Sequence, residues 1–146
     1  MPYIKFIGYV ILLNILRYFP GSILESFTIL DPMFAIMDQY PDCFGFQDED
    51  FPLSFFYNFV MWLSVILTFH IGHRSLKGNM VIRSLIIFGI CCLFFISLSA
   101  VYMNHFDQGI RQFYIYSIID GILVFSYMAV VNALIYPRFF KAENAE

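Results

Sequence analysis

The stretch IRSLIIFGICCLFFISLSAVYM, from Ile82 to Met103, carries one charged residue, Arg83, next to its start. A helix needs about 20 consecutive, mostly apolar residues to cross the ~30 Å hydrocarbon core of a bilayer, and this stretch has that length. Its apolar residues do not alternate with polar ones, so it lacks the period-2 signature of a barrel strand. It reads as a transmembrane helix. Three segments of the same character accompany it: Tyr3 to Phe19, Leu53 to His70 and Phe113 to Tyr136.

The composition of the whole chain points the same way. Of its 146 residues 60% are hydrophobic and only 13% charged, against about 45–50% and 25% in a soluble domain. Too little polar surface is available to cover a soluble core, and the chain is too apolar to be disordered. The expected fold class is an all-α integral membrane protein, a single transmembrane domain of four helices filling residues 1–146. Lys5 near the start of the first segment would be the basic n-region if that segment were a signal peptide. The residues around Pro20 make a poor cleavage site, so the segment is read as a span.

Charge sets the expected orientation. No Lys or Arg lies between Tyr18 and His73, whereas Glu25, Asp31, Asp38, Asp42, Asp48, Glu49 and Asp50 all fall there. Lys5, the Ile71–Met80 loop with Arg74 and Lys77, nearby Arg83, and the tail with Arg138 and Lys141 hold the positive charge. The positive-inside rule places both termini and that loop in the cytoplasm, and the 20–52 segment outside, in what reads as a bacterial inner membrane. A basic patch suited to phosphates is lacking, which disfavours nucleic acid as a partner. Aromatic residues near the span ends, among them Phe55, Phe56, Tyr57 and Trp62, suit an interfacial belt.

The outer segment carries helix signals of its own. Pro20-Gly21 should break or bend the first helix. Ser22 and Glu25 then fit a capping box, and Asp31-Pro32 fits an N-cap followed by a first-turn proline. Two short amphipathic helices on the outer membrane surface are expected, the alternative being one long, Pro-kinked first helix projecting outward.

Several residues are candidates for function. Asp120 lies within the fourth span, where an ionised carboxylate is costly and suggests a function by default. Arg17 matches it in depth on the first span, so an intramembrane Arg17–Asp120 pair is expected; otherwise Arg17 snorkels outward and pairs with Glu25. Asp48, Glu49 and Asp50 form an acidic outer docking surface. Arg74, Lys77 and Arg83 offer contacts to an inner partner or to lipid. Ser117, Gly121, Ala129 and Ala133 recur at multiples of four and permit close helix packing, within the bundle or between copies. His70 and His73 are spaced to share a helical face, but lack nearby ligands to complete a site, and no metal or other cofactor is expected. Cys43 is separated from Cys91 and Cys92 and is either free or a link between two copies; no CxxC occurs.

Hydrolase constellations and nucleotide loops are missing, so an enzyme is not expected. The sequence reads as a non-enzymatic membrane subunit that senses or docks at its outer face and anchors a cytoplasmic protein at its inner face. An envelope-stress, immunity or phage-defence system would suit such a part. The alternative is an oligomeric small transporter or channel, or the small membrane subunit of a transporter.

Overall fold

Alanine is scarce in this chain, and its helices are built from Ile, Leu, Phe and Tyr. Of these only Leu is a strong helix former by intrinsic propensity. A hydrocarbon setting, which segments of this length and apolarity suit, would favour the helix, because each backbone N–H and C=O must there be satisfied within its own segment. A computed structural model describes residues 2–44, 50–106 and 108–140, and all regular structure among them is helical. The elements are α1 (Pro2–Ser26), α2 (Leu30–Gln39), α3 (Asp50–Gly72), α4 (Met80–Met103) and α5 (Gln108–Phe139), with a 3-10 turn at His73–Ser75 after α3. Helices α1, α3, α4 and α5 are long and apolar enough to cross a membrane. They correspond to the four expected spans and run past the apolar segments at most ends.

The faces are sorted by side-chain type. On α1, Ile4, Ile7, Ile11 and Ile15 recur on an exposed face, while Tyr9, Val10, Leu13 and Asn14 are buried. The largest side chains of the interior are aromatic. Trp62 lies between Phe125, at a ring distance of 4.9 Å, and Phe88, at 6.4 Å. Phe69 meets Tyr136 edge-on at 5.0 Å. Exposed aliphatic ridges on α4 and α5 (Ile90, Leu93, Ile122, Leu134) complete an outer surface suited to lipid chains.

Helix α5 is the hub. It packs most extensively on α4, and also on α1 and α2. Its 32 residues reach about 48 Å at 1.5 Å per residue, well beyond a ~30 Å core. Its early turns are covered by the chain around α2. The Tyr40 ring lies where a Cβ on Gly109 would sit, so only glycine admits it there. Phe44 meets Phe113 at 4.6 Å. At the same end Arg111 Nε donates to the Phe106 carbonyl at 2.9 Å and so ties down the turn between α4 and α5. At the opposite end Gly78 takes a positive φ of 110°, which favours glycine. Asn79 then caps α4, its Oδ1 accepting from the Ile82 N–H at 2.9 Å.

The outer segment departs from expectation. Pro20 does not end the first helix, which continues to Ser26. The expected first surface helix is therefore the tip of α1. Proline removes one N–H, the one that would have bonded the carbonyl of Leu16 four residues back. Tyr127 on α5 replaces it, its hydroxyl donating to Leu16 O at 3.3 Å. A helix packed among neighbours can tolerate an internal proline in this way. The capping box also fails to form. The Ser22 hydroxyl donates to the Tyr18 carbonyl within the same helix, and Glu25 is engaged elsewhere. Asp31 lies inside the first turn of α2 rather than at its cap. The reason is that the chain turns directly from α1 into α2 on backbone bonds, with Thr28 N and Ile29 N both donating to Glu25 O.

Tyr127→Phe should lower stability by about 1 kcal/mol, a typical net hydrogen-bond contribution. In a Pro20→Ala background the restored N–H can serve Leu16 O, so the same change should have almost no effect. Equal losses in the two backgrounds, measured by denaturant unfolding in mixed micelles, would show that Tyr127 does not stand in for the missing donor.

Candidate functional site: a buried charge cluster

Continuation of α1 through Pro20 brings Arg17, Gly21 and Glu25 onto one stripe at four-residue spacing. Gly21 is buried, and a Cβ there would lie 3.2 Å from Arg17 Nη1. With only hydrogen in that place, the arginine side chain runs across Gly21 to the carboxylate two turns on. Nη1 donates to Glu25 Oε2 at 2.9 Å, and Nη2 to Oε1 at 2.6 Å. This is the two-pronged geometry in which Arg–carboxylate pairs are strongest. The side chains are only 15% and 9% exposed.

Asp120 on α5 stands beside this pair. It interacts side chain to side chain with Glu25 and lies within electrostatic reach of Arg17. Its Oδ1 is buried and has no hydrogen-bond partner among the described residues. The expected Arg17–Asp120 ion pair is therefore corrected. Arg17 pairs with Glu25, and Asp120 is a third, adjacent member. The error followed from ending the first helix at Pro20, which placed Glu25 on a separate surface helix. The alternative of Arg17 reaching outward to Glu25 describes the contact found.

A second polar centre lies toward the end that carries the chain termini. Tyr9 Oη donates to Asn132 Oδ1 at 2.6 Å, and Asn132 Nδ2 donates to Ser84 Oγ at 2.8 Å, linking α1, α5 and α4 through fully buried groups. Tyr136 and His70 exchange a hydrogen bond at 2.8 Å, which adds α3. His73 Nδ1 lies 3.1 Å from both the Phe69 and His70 carbonyls and caps its own helix. The two imidazoles thus turn to different tasks, and no group of three metal-ligating side chains occurs among the described residues.

The remaining candidates are scattered. Asp48 and Glu49 lie outside the described residues, and Asp50 opens α3. Arg74 and Lys77 are exposed, and Arg83 is half-buried in the first turn of α4. Ser117 and Gly121 line a small recess shared with Cys92, Phe95 and Ser99 of α4. Ala129 is buried on an apolar groove of about 300 Å³ that includes Gly89 and Leu93, and Ala133 is buried. Ser117, Gly121 and Ala129 face α4 within the chain. A Cβ on Gly121 would meet nothing within 4 Å, so no helix presses on it. Cys43 is exposed, and Cys91 and Cys92 are free thiols within α4.

Sequence reasoning overlooked Tyr127, Gly21 and the Tyr9–Asn132–Ser84 chain. Signals for them existed. A proline at 20 orphans the carbonyl of residue 16, and Asn132 is an amide within the last turns of an apolar span. Finding their partners required the helix rotations that only packing sets.

Fold and site together define an all-helical chain whose four membrane-length helices are joined by buried polar contacts. Comparison with protein-family models, with curated proteins and with solved structures found no match.

Proposed function

We propose that the chain is a non-enzymatic subunit of a bacterial inner membrane, with both termini cytoplasmic. It docks or senses at the outer, α2-bearing end and anchors a protein partner at the inner end. The observation that carries this reading is the packing between the two polar centres. Leu13, Trp62, Ile66, Phe88 and Met128 are buried to within 1% of complete, and Phe125 to 6%. Large apolar side chains therefore plug the axis of the bundle between the charge cluster and the Tyr9–Asn132–Ser84 chain. Such an interior suits a connecting rod between two faces better than a polar path for a solute. The buried, unpartnered Oδ1 of Asp120 favours the second reading, an oligomeric transporter or channel. Further partners on the first reading are the bilayer itself and a second copy of the chain. An envelope-stress, immunity or phage-defence system is the setting this architecture would serve.

Purification of the full chain from native membranes in mild detergent, followed by native mass spectrometry, tests the proposal. The expected result is an oligomer carrying a second, soluble protein in fixed ratio. A homo-oligomer that holds no other protein and conducts ions in liposomes would overturn it. Orientation is checked separately. A cysteine placed at Lys77 should be protected from an impermeant thiol reagent added outside, and one at Asp48 should react. The opposite pattern would invert the assignment.

A further inference from the structure

Three features meet at the proline joint of α1. The carbonyl of Leu16, deprived of its helical donor by Pro20, is held by Tyr127 at 3.3 Å, longer than the usual O–H···O bond of about 2.7–2.8 Å. Arg17, before the joint, grips Glu25, after it, through two bonds that pass over Gly21. Asp120 on α5 lies beside Glu25 and within electrostatic reach of the same guanidinium, with its buried Oδ1 lacking a hydrogen-bond partner among the described residues. Of the two anions, only Glu25 rides on the segment beyond Pro20.

We infer that Arg17, Glu25 and Asp120 form a latch in which Arg17 passes from Glu25 to Asp120 as the tip of α1 swings about Pro20. In the closed state Glu25 clamps the tip across the joint. Helix α2 follows the tip, because the turn between them is built on backbone bonds to Glu25 O. In the open state Asp120 takes over the guanidinium, and its unpartnered Oδ1 gains the donor it lacks when the latch is closed. Opening therefore never strands a cation in a low-dielectric setting, which is what makes removal of one partner from a buried pair so damaging. An isolated Arg17–Glu25 pair would only stiffen the helix. A second anion on a different element supplies the alternative arrangement a switch needs. The latch rests on the docking reading only for its trigger, a ligand or partner that engages the α2 end.

Distances in the full chain test it without any partner. Cys43, Cys91 and Cys92 are first replaced by serine, and the protein is placed in lipid nanodiscs. Spin labels at Phe27 and Tyr57, both largely exposed, report the tip against α3. Labels at Ile7 and Ile71 report the far end of the bundle. Glu25→Gln should shift the Phe27–Tyr57 distribution by about 5 Å, one helical turn, and leave Ile7–Ile71 unchanged. Pro20→Ala in the same background should abolish the shift, and Asp120→Asn by itself should leave both distributions as in the wild type. Gly21→Val keeps every charge but crowds Arg17, so it should reproduce the shift even if Glu25→Gln fails to fold. An unmoved tip, a shift that survives Pro20→Ala, or a concerted change at Ile7–Ile71 would each overturn the latch. An immobile tip leaves the docking reading to the copurification experiment, and failure of copurification leaves a moving tip standing.

Discussion

Arg17→Leu is expected to be the most damaging single change in the charge cluster, lowering stability by roughly 3–5 kcal/mol, the usual effect of breaking a buried pair from one side. The cluster has one cation and two anions, so its parts are not equivalent. Without Arg17, Glu25 and Asp120 face each other with no neutralising group between them. Glu25→Gln should be milder, because Asp120 remains for the guanidinium. Combining Glu25→Gln with Asp120→Asn should approach the Arg17→Leu loss, since the cation then has no carboxylate in reach. The double change Arg17→Leu/Glu25→Leu should be less harmful than Arg17→Leu, because it leaves one stranded carboxylate in place of two. Reversible unfolding in mixed micelles gives these four values and that of Glu25→Leu alone. Additive losses from Arg17→Leu and Glu25→Leu would mean that the two bonds between them contribute nothing to stability.

A loss of similar size, about 3–5 kcal/mol, is expected from Trp62→Ala. Trp62 is 1% exposed and its ring lies against Phe125 and Phe88, so alanine opens a cavity where α3, α4 and α5 meet. The indole N–H has no acceptor among the described residues. Trp62→Phe should therefore keep most of the stability, with a loss below about 1.5 kcal/mol, as for other swaps that nearly conserve shape. A loss as large for phenylalanine as for alanine would show that the indole nitrogen has a partner and that packing is not the source of the effect. The pair of variants also bears on the plug between the polar centres. Ion flux that appears with Trp62→Ala but not with Trp62→Phe would identify this ring as the barrier along the bundle.

Some of this architecture is legible because it depends on local quantities. Four helices follow from segment length and hydropathy, since a backbone in hydrocarbon must satisfy its own hydrogen bonds and has few ways to do so. The unusual status of Arg17 and Asp120 is equally visible, because the expense of a charge at membrane depth depends on the residue and its place along the span. Asn79 as the cap of α4 and Gly78 before it also lie within reach of a sequence reading, although neither was anticipated.

What the residues could not reveal by themselves is which groups meet. Pro20 is a helix breaker in isolation, and the chain around it carries good start signals at Ser22 and Asp31. The helix nevertheless continues, and Tyr127, 107 positions away from Pro20 in the chain, supplies a donor for the carbonyl that proline leaves free. Once the helix continues, Gly21 and Glu25 fall into line with Arg17, and the arginine takes Glu25 instead of Asp120. Depth along a span is encoded in the order of residues. Rotation about the helix axis, and with it the choice among partners at equal depth, is set by side-chain packing between helices, and that is a property of the assembled bundle.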